Sequence, residues 1–157
     1  MSAALNCNIC FIGGGNMAQA LIGGLISRGL PPARITVSDP VEKVRLLLEE
    51  KDVHVTDDNI AAIRDADIVL FAVKPQVLAN VLKPLKGLFD GKLVMSIVAG
   101  AEIATIANLL DTDRIVRVMP NTPALVQTGA HGLYATDAVD SKDRELASQV
   151  LAATGLT

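Results

Sequence analysis

The sequence is poor in aromatic side chains, with no tryptophan, one tyrosine and three phenylalanines among 157 residues. Half of its residues are nevertheless apolar, so a buried core must be built from isoleucine, leucine, valine and alanine. This aliphatic composition is typical of buried parallel β-strands that are covered by helices. The length suits a single domain, and no repeat or linker divides the sequence.

The sequence also lacks an excess of basic residues and a long apolar segment. Its net charge is −3 and its lysines and arginines are scattered, which argues against a nucleic-acid groove or an anionic membrane surface. The N-terminal residues have neither the basic nor the apolar region of a signal peptide. The longest apolar run, Ile68 to Val73, is too short to cross a bilayer. We therefore expect a soluble, cytoplasmic protein without nucleic-acid or membrane partners.

Cysteine is scarce as well, and the two cysteines form one C-x-x-C pair, Cys7 and Cys10. Residues three apart on a strand point to opposite faces, so the two sulfur atoms would diverge. No second pair completes a zinc site, and His54 and His131 lack neighbours at metal-ligand spacing. We expect two buried thiols, with no redox pair and no metal site.

What the chain does contain is a glycine-rich turn, in which an apolar run leads into Gly13-Gly14-Gly15-Asn16-Met17-Ala18. Read as Gly13-x-Gly15-x-x-Ala18, it fits the dinucleotide-binding fingerprint. In that motif the first glycine permits a tight turn, the second lets a pyrophosphate approach the backbone, and the small third residue lets helix and strand pack closely. The helix N-terminus offers N–H groups and a positive dipole end to the phosphates. The alternative is a glycine turn with a structural role only.

Short apolar runs alternate with helical patterns along the rest of the chain. The patterns predict strands over residues 8–12, 35–38, 53–55, 68–73, 93–98, 115–119 and 132–135. They predict helices over 16–28, 41–51, 76–88, 102–110 and 140–153, with a short helix that follows the cap sequence Thr56-Asp57-Asp58-Asn59 and ends at Arg64. Val44, Leu47 and Leu48 would form the buried face of the second helix. This alternation indicates an α/β fold of the Rossmann type, a doubly wound, mostly parallel sheet with helices on both faces.

Polar residues, glycines or prolines follow several of the predicted strands. The carboxyl ends of parallel strands meet at one edge of the sheet, and ligands bind there, where the strand order reverses. The residues that this places together are Ser38 and Asp39, Ala72, Val73, Lys74 and Pro75, Ala99 and Gly100, and Pro120, Asn121 and Thr122. With the glycine turn they predict one extended binding site.

Asp39 is open to two interpretations. It lies 24 residues beyond Gly15, near the usual spacing for a residue that contacts the adenosine ribose. A carboxylate there would accept hydrogen bonds from the ribose hydroxyls and would favour NAD, because it would repel a 2′-phosphate. Alternatively, Asp39 and Pro40 are the N-cap and the first residue of the next helix.

Two other strand ends are also open to two interpretations. Lys74 could bind a phosphate, a ribose or a substrate carboxylate, or it could be a solvent-facing lysine before a proline. The run from Pro120 to Pro123 could be a rigid polar loop that holds a nicotinamide or a small polar substrate, or it could be a plain turn.

Five segments of the chain together resemble the pyrroline-5-carboxylate reductase family. They are residues 11–18, 21–25, 72–76, 96–100 and 119–125, which read FIGGGNMA, LIGGL, AVKPQ, SIVAG and MPNTPAL. The resemblance extends from about Asn8 to the end of the chain, and the Met-Pro-Asn-Thr-Pro run is its most specific part.

This resemblance implies an enzyme in which a hydride passes from a reduced nicotinamide to the cyclic imine of 1-pyrroline-5-carboxylate, giving L-proline. It implies that Gly13 to Met17 hold the pyrophosphate, while Asp39 and Asn59 flank the adenosine ribose. It implies that Ala72 to Pro75 line the cofactor and that Pro120 to Thr122 lie beside the nicotinamide. No residue looks like a general acid or base with an activating partner, so the sequence predicts no particular catalytic residue.

The resemblance also implies features beyond these residues. Family members carry a further helical domain that forms the dimer and grips the substrate carboxylate. Residues 1–157 would then be the dinucleotide-binding domain, and a homo-oligomer would need that further domain. The family favours NADPH whereas the charge of Asp39 favours NADH, so we expect NADP, with NAD as the alternative. Three other functions remain open: another hydroxyacid-dehydrogenase-like oxidoreductase, a nucleotide-sensing domain without catalysis, and a structural protein that kept the fold but lost the ligand. The intact glycine turn argues against the third.

Overall fold

The computed structural model describes residues 6–120, 129–152 and 155–156. The strands are β1 (Ile9–Ile12), β2 (Ile35–Ser38), β3 (His54–Thr56), β4 (Ile68–Phe71), β5 (Leu93–Ser96), β6 (Ile115–Pro120), β7 (Gly129–Ala135) and β8 (Gly155–Leu156). The helices are α1 (Asn16–Ser27), α2 (Glu42–Glu49), α3 (Asn59–Ile63), α4 (Leu78–Leu82), α5 (Ile103–Leu110) and α6 (Ser141–Ala152). Within these residues, no helix has the length and hydropathy that a bilayer crossing needs.

The strands form one sheet in the order β3-β2-β1-β4-β5-β6-β7-β8. The first six strands are parallel, with Ile9 in register with both Ile35 and Ile68. β7 runs antiparallel to β6, and β8 runs parallel to β7. The order steps outward from β1 to β3 and then resumes on the other side of β1, so the sheet is doubly wound, which confirms the predicted fold class. The sequence does not predict β8, because two residues are too few to show a periodicity.

The two faces of the sheet bury separate aliphatic cores. On one face, α1, α2 and α6 pack against side chains that include Phe11. On the other, α3, α4 and α5 pack against side chains that include Ile12 and Phe71. Because successive strand residues point to opposite faces, neighbours such as Phe11 and Ile12 lie in different cores. Helices therefore cover both faces, as the sequence predicts.

The cysteine pair diverges as predicted. Cys7 is buried in the core beneath α1, and Cys10 is buried in the core on the other face. Both thiols are free. Burial raises the pKa of Cys7 and raises the pKa of Cys10 to about 12, because each thiolate would lose its hydration. Neither cysteine has the surroundings of a reactive thiol.

Two helix predictions are corrected by the structure. Instead of one helix over 76–88, the short α4 lies between two 3-10 turns, Pro75–Val77 and Lys83–Leu85. Pro84 provides a reason, since proline lacks the N–H that a continuing α-helix uses. In α2, Leu48 is buried but Leu47 is 48% exposed. Leu47 is the neighbour of Leu48 in sequence, and a helix turns such neighbours to different sides.

Candidate functional site

Most of the predicted site residues that the structure describes follow the carboxyl ends of strands on either side of the junction of β1 and β4, where the strand order reverses. The glycine turn follows β1, and Ala72 follows the adjacent β4. The amide N–H of Ala72 donates to the carbonyl of Ile12 at 2.8 Å, which brings the two chain segments together. This is the position at which doubly wound sheets bind their ligands.

Gly13 is required by the backbone around it. Its φ is +103°, and a Cβ atom there would lie 2.6 Å from the carbonyl oxygen of Ala72. Its amide donates to the carbonyl of Ser38 at 2.8 Å, so the turn is fastened to the end of β2 as well. The structural role that the motif assigns to the first glycine is therefore present.

Gly14 is also enclosed by protein. A Cβ atom there would lie 2.8 Å from Cδ1 of Leu48 and 2.9 Å from Cγ1 of Val44. Its amide N–H donates to Oδ2 of Asp39 at 2.9 Å, and its carbonyl accepts from Nε2 of Gln19 at 2.8 Å. The amides of Gly13 and Gly14 are thus used within the protein, which leaves the amides that follow them as the candidates for binding a phosphate.

Gly15 is the N-cap of α1, and its surroundings fit an anion. A Cβ atom there would meet nothing within 4 Å. No side chain caps α1 and its first turn has no acidic residue, whereas α3 is capped by Asp58, which accepts from the amide of Ala61 at 3.1 Å. The first N–H groups of a helix have no partner within the helix. Those of Asn16 and Met17, the first residues of α1, have no hydrogen-bond acceptor among the described residues, and amides of this kind bind anions such as a pyrophosphate.

Ser38, Asp39 and Asn59 lie together at the end of β2. The hydroxyl of Ser38 donates to Oδ1 of Asn59 at 2.5 Å, although the two residues are 21 apart in sequence. The amide of Asp39 donates to the carbonyl of Thr56 at 3.0 Å, which joins this corner to β3. The structure thus brings Asp39 and Asn59, the two residues predicted beside the adenosine ribose, together with Ser38 at the end of β2.

Asp39 does not have the helix-capping role considered from the sequence. The N-cap of α2 is Val41, so Pro40 is not the first helical residue. Instead, Oδ1 of Asp39 accepts from the amide of Val41 at 2.8 Å in a local turn, and Oδ2 accepts from Gly14. The side chain therefore links the start of α2 to the glycine turn.

A cavity of about 360 Å³ opens beside these residues on the β4 and β5 side of the junction. Six predicted residues line it, namely Met17, Ala72, Val73, Lys74, Pro75 and Ala99. Ile97 and Val98 also line it, although the sequence predicts that the strand over 93–98 continues through both. Instead, β5 ends at Ser96 in a turn, in which the hydroxyl oxygen of Ser96 accepts from the amide of Val98 at 3.2 Å. A serine at the end of an apolar run is the sequence signal that could have indicated this turn.

Gly100 lies just outside this cavity. With a φ of +74°, it lines a neighbouring groove of about 300 Å³ that shares Pro75 and Ala99 with the cavity. Lys74 is exposed at the cavity wall.

The third predicted part of the site follows β6. This strand ends at Pro120, which pairs with His131 of β7, and its carboxyl end lies at the same edge of the sheet as those of β4 and β5. Asn121 and Thr122 lie outside the described residues. Their proposed place beside a nicotinamide stays a prediction.

Away from this edge of the sheet, the described residues offer fewer groups that could form a ligand or metal site. A cavity of about 210 Å³ lies at the opposite edge, near the start of β1 and β2, and contains none of the predicted site residues. In residues 6–120, 129–152 and 155–156 there is no group of three or more histidine, cysteine, aspartate or glutamate residues that could hold a metal ion.

Comparison with known proteins agrees with this geometry. Residues 8–100 match a family described as "NADP oxidoreductase coenzyme F420-dependent". The chain is 44% identical to a pyrroline-5-carboxylate reductase of Pasteurella multocida, over 96% of the chain and 57% of that protein. It therefore spans just over half the length of the curated relatives that it matches.

Solved structures give the same result. A pyrroline-5-carboxylate reductase of Coxiella burnetii is 40% identical with a TM-score of 0.91, over 96% of this chain and 57% of that one. A pyrroline carboxylate reductase of Plasmodium falciparum with NADP bound is 27% identical with a TM-score of 0.84, over 96% and 56%. The chain belongs to the NADP oxidoreductase, coenzyme F420-dependent family, and its resemblance to pyrroline-5-carboxylate reductases is confirmed.

Proposed function

We propose that this chain is the dinucleotide-binding part of a reductase that converts 1-pyrroline-5-carboxylate to L-proline. The observation that carries the proposal is the uncapped N-terminus of α1, which faces open space above Gly15 at the point where the strand order reverses. The names of the relatives supply the reaction, because the described residues include no activated acid or base that would identify it.

The cofactor in this proposal is a nicotinamide dinucleotide. The amides of Gly15, Asn16 and Met17 would bind its pyrophosphate, and the polar group of Ser38, Asp39 and Asn59 would adjoin its adenosine ribose. The cavity between Met17 and Ala99 would hold its nicotinamide end, with Lys74 at the rim. When bound, the dinucleotide supplies the hydride, and the residues of the chain contribute position and exclusion of water.

We propose NADP rather than NAD as the cofactor. The description of the matching family and the NADP-bound relative from Plasmodium falciparum support this choice. The carboxylate of Asp39 is the opposing feature, since a negative charge near the ribose disfavours a 2′-phosphate.

The substrate site in this proposal is shared with a further part of the protein. Pro120, Asn121 and Thr122 would form one wall beside the nicotinamide. The part of the relatives that this chain does not span would form the other wall, bind the substrate carboxylate and make the contacts of a homo-oligomer. Hydride transfer needs the imine carbon held about 3–3.5 Å from the nicotinamide, so one wall alone would leave the reaction slow.

Two assays on two proteins test the proposal. This chain and a version extended to the length of its relatives are each titrated with NADPH in a calorimeter and then assayed for proline formation from 1-pyrroline-5-carboxylate. Both should bind NADPH, and only the longer protein should turn over. Absence of binding to both would refute the proposed cofactor site. Comparable turnover by residues 1–157 would refute the division between the two parts.

A further inference from the structure

We infer that Arg45 is the residue that recognises a 2′-phosphate on the adenosine ribose, and that it selects the phosphorylated dinucleotide. This inference rests on the proposed function, because it assumes that a dinucleotide binds at the end of β2. It assigns a specificity-determining role to a residue that the sequence motifs do not mark.

One hydrogen bond holds the side chain of Arg45 against the end of β2. Arg45 lies on α2, and its Nη1 donates to the main-chain carbonyl of Asp39 at 2.8 Å. The side chain therefore folds back from the helix to the end of β2 and is half-buried there. Its guanidinium lies beside Asp39, the residue that follows Ser38 in the chain.

Most N–H donors of the Arg45 guanidinium have no hydrogen-bond acceptor among the described residues. The guanidinium carries five N–H donors in a planar fork, and the bond to Asp39 uses one of them. Among residues 6–120 and 129–152, Arg45 takes part in no ion pair, in contrast to Arg114, which pairs with Asp143 at 2.9 Å. A charged fork that is fixed by one neutral acceptor can bind phosphate oxygens through its other donors.

The carboxylate of Asp39 is the main objection, because it would repel the same phosphate. Both of its oxygens, however, already accept backbone N–H groups, from Gly14 at 2.9 Å and from Val41 at 2.8 Å. These bonds hold the charge toward the glycine turn and stabilise it with amide dipoles. The carboxylate thus orders the binding loop, and Arg45 supplies a positive charge at the same corner.

Lys43 provides a matched control for the charge of Arg45. It lies two residues earlier on α2 and is exposed, and among the described residues its side chain has no partner. Lys43→Gln and Arg45→Gln each remove one positive charge from the same helix. Only Arg45→Gln removes the guanidinium fixed at Asp39.

The experiment measures the binding of two pairs of ligands that differ by one phosphate. The pairs are NADPH with NADH, and adenosine 2′,5′-bisphosphate with adenosine 5′-monophosphate, titrated into the parent chain, Arg45→Gln, Arg45→Lys and Lys43→Gln. For Arg45→Gln we expect a loss of about tenfold or more for the two 2′-phosphorylated ligands and less than about twofold for the others. Arg45→Lys should recover part of that loss, and Lys43→Gln should resemble the parent.

Three results would overturn the inference. Equal losses for all four ligands in Arg45→Gln would show that Arg45 only supports the backbone of Asp39. Unchanged binding would show that it contacts no phosphate, and an equal effect of Lys43→Gln would show a general charge effect. A parent chain that binds neither dinucleotide would refute the proposed function itself, whereas a parent that binds both with an unchanged preference in Arg45→Gln refutes only the role of Arg45.

Discussion

Oδ2 of Asp39 accepts the amide N–H of Gly14 at 2.9 Å across 25 residues of sequence. This bond joins the end of β2 to the turn after β1, while Oδ1 of the same carboxylate holds Val41 at the start of α2. One side chain therefore sets the relative positions of the glycine turn and α2. Asp39 is a positioning residue for the loop in addition to any contact with a ribose.

Replacing Asp39 by serine should change two quantities. The affinities for NADPH and NADH should both fall by about fivefold to tenfold, because Gly14 and Val41 lose their acceptors and the loop becomes less ordered. The ratio of NADPH to NADH affinity should rise, because a negative charge leaves the ribose corner. Calorimetric titration measures both quantities. Unchanged affinities would show that the hydrogen bonds of Asp39 do not order the site.

Gly13→Ala should destabilise the fold. The new Cβ atom would lie 2.6 Å from the carbonyl oxygen of Ala72, at a φ of +103°. Gly29→Ala is a matched control, because Gly29 has a φ of +104° but nothing within 4 Å of the Cβ position. The control should lose about 1–2 kcal/mol from its unusual φ alone. Gly13→Ala should lose about 1–3 kcal/mol more from the collision.

Urea denaturation followed by circular dichroism measures both free energies of unfolding. The difference between the two variants isolates the contact between Gly13 and Ala72. Equal losses in Gly13→Ala and Gly29→Ala would mean that the turn moves away from β4 without cost.

Gly15→Val should abolish dinucleotide binding without unfolding the chain. Gly15 has a φ of −73°, which any residue adopts, and its Cβ position is open. The added side chain would occupy the space where the pyrophosphate approaches α1. Gly23→Ala is the control, since it adds a Cβ atom in open space further along the same helix.

Calorimetry should detect NADPH binding to the parent and to Gly23→Ala, with none to Gly15→Val. Circular dichroism should show three folded proteins. Parent-like affinity of Gly15→Val would mean that the pyrophosphate lies elsewhere.

The buried thiols should be unreactive in the folded chain. Burial raises the pKa of Cys10 to about 12 from an ordinary value of 9.0, and that of Cys7 is raised as well. At pH 8.5 a thiol reagent should label native protein slowly and label two thiols after denaturation, while Cys10→Ala should show one. Rapid labelling of native Cys10 would contradict the buried position.

The same pKa shift predicts a pH dependence of stability. The folded state keeps the Cys10 proton up to about pH 12, whereas the unfolded thiol releases it near pH 9.0. The unfolded state is therefore favoured as the pH rises between these values, by at most about 1.4 kcal/mol per unit. The stability of the parent relative to Cys10→Ala should be constant below pH 8 and should fall above pH 9. A flat difference would show that Cys10 ionises equally in both states.

The sequence by itself determined the architecture and the centre of the site. The periodicity of apolar residues depends only on nearby residues in the sequence. Because the buried faces of α1 and β2 each come from one continuous segment, both elements lie very nearly where the periodicity predicts them. The tight turn at Gly13 and the place of Gly15 at the start of α1 were also predictable, because a turn from strand to helix constrains its own residues. The prediction of one helix over 76–88 was wrong because Pro84 has no N–H to continue an α-helix, and a 3-10 turn follows α4 instead.

The tertiary structure alone decided which groups meet. The bonds of Asp39 to Gly14 and of Ser38 to Asn59 join residues on different elements, and no local pattern encodes such a pairing. The amide of Gly14 was expected to serve a phosphate, but the packing of β2 against β1 gives it to a carboxylate. The reach of Arg45 to the end of β2 likewise depends on where α2 docks. Contacts between distant segments follow from the packing of whole elements, so only the assembled fold shows which donors remain free for a ligand.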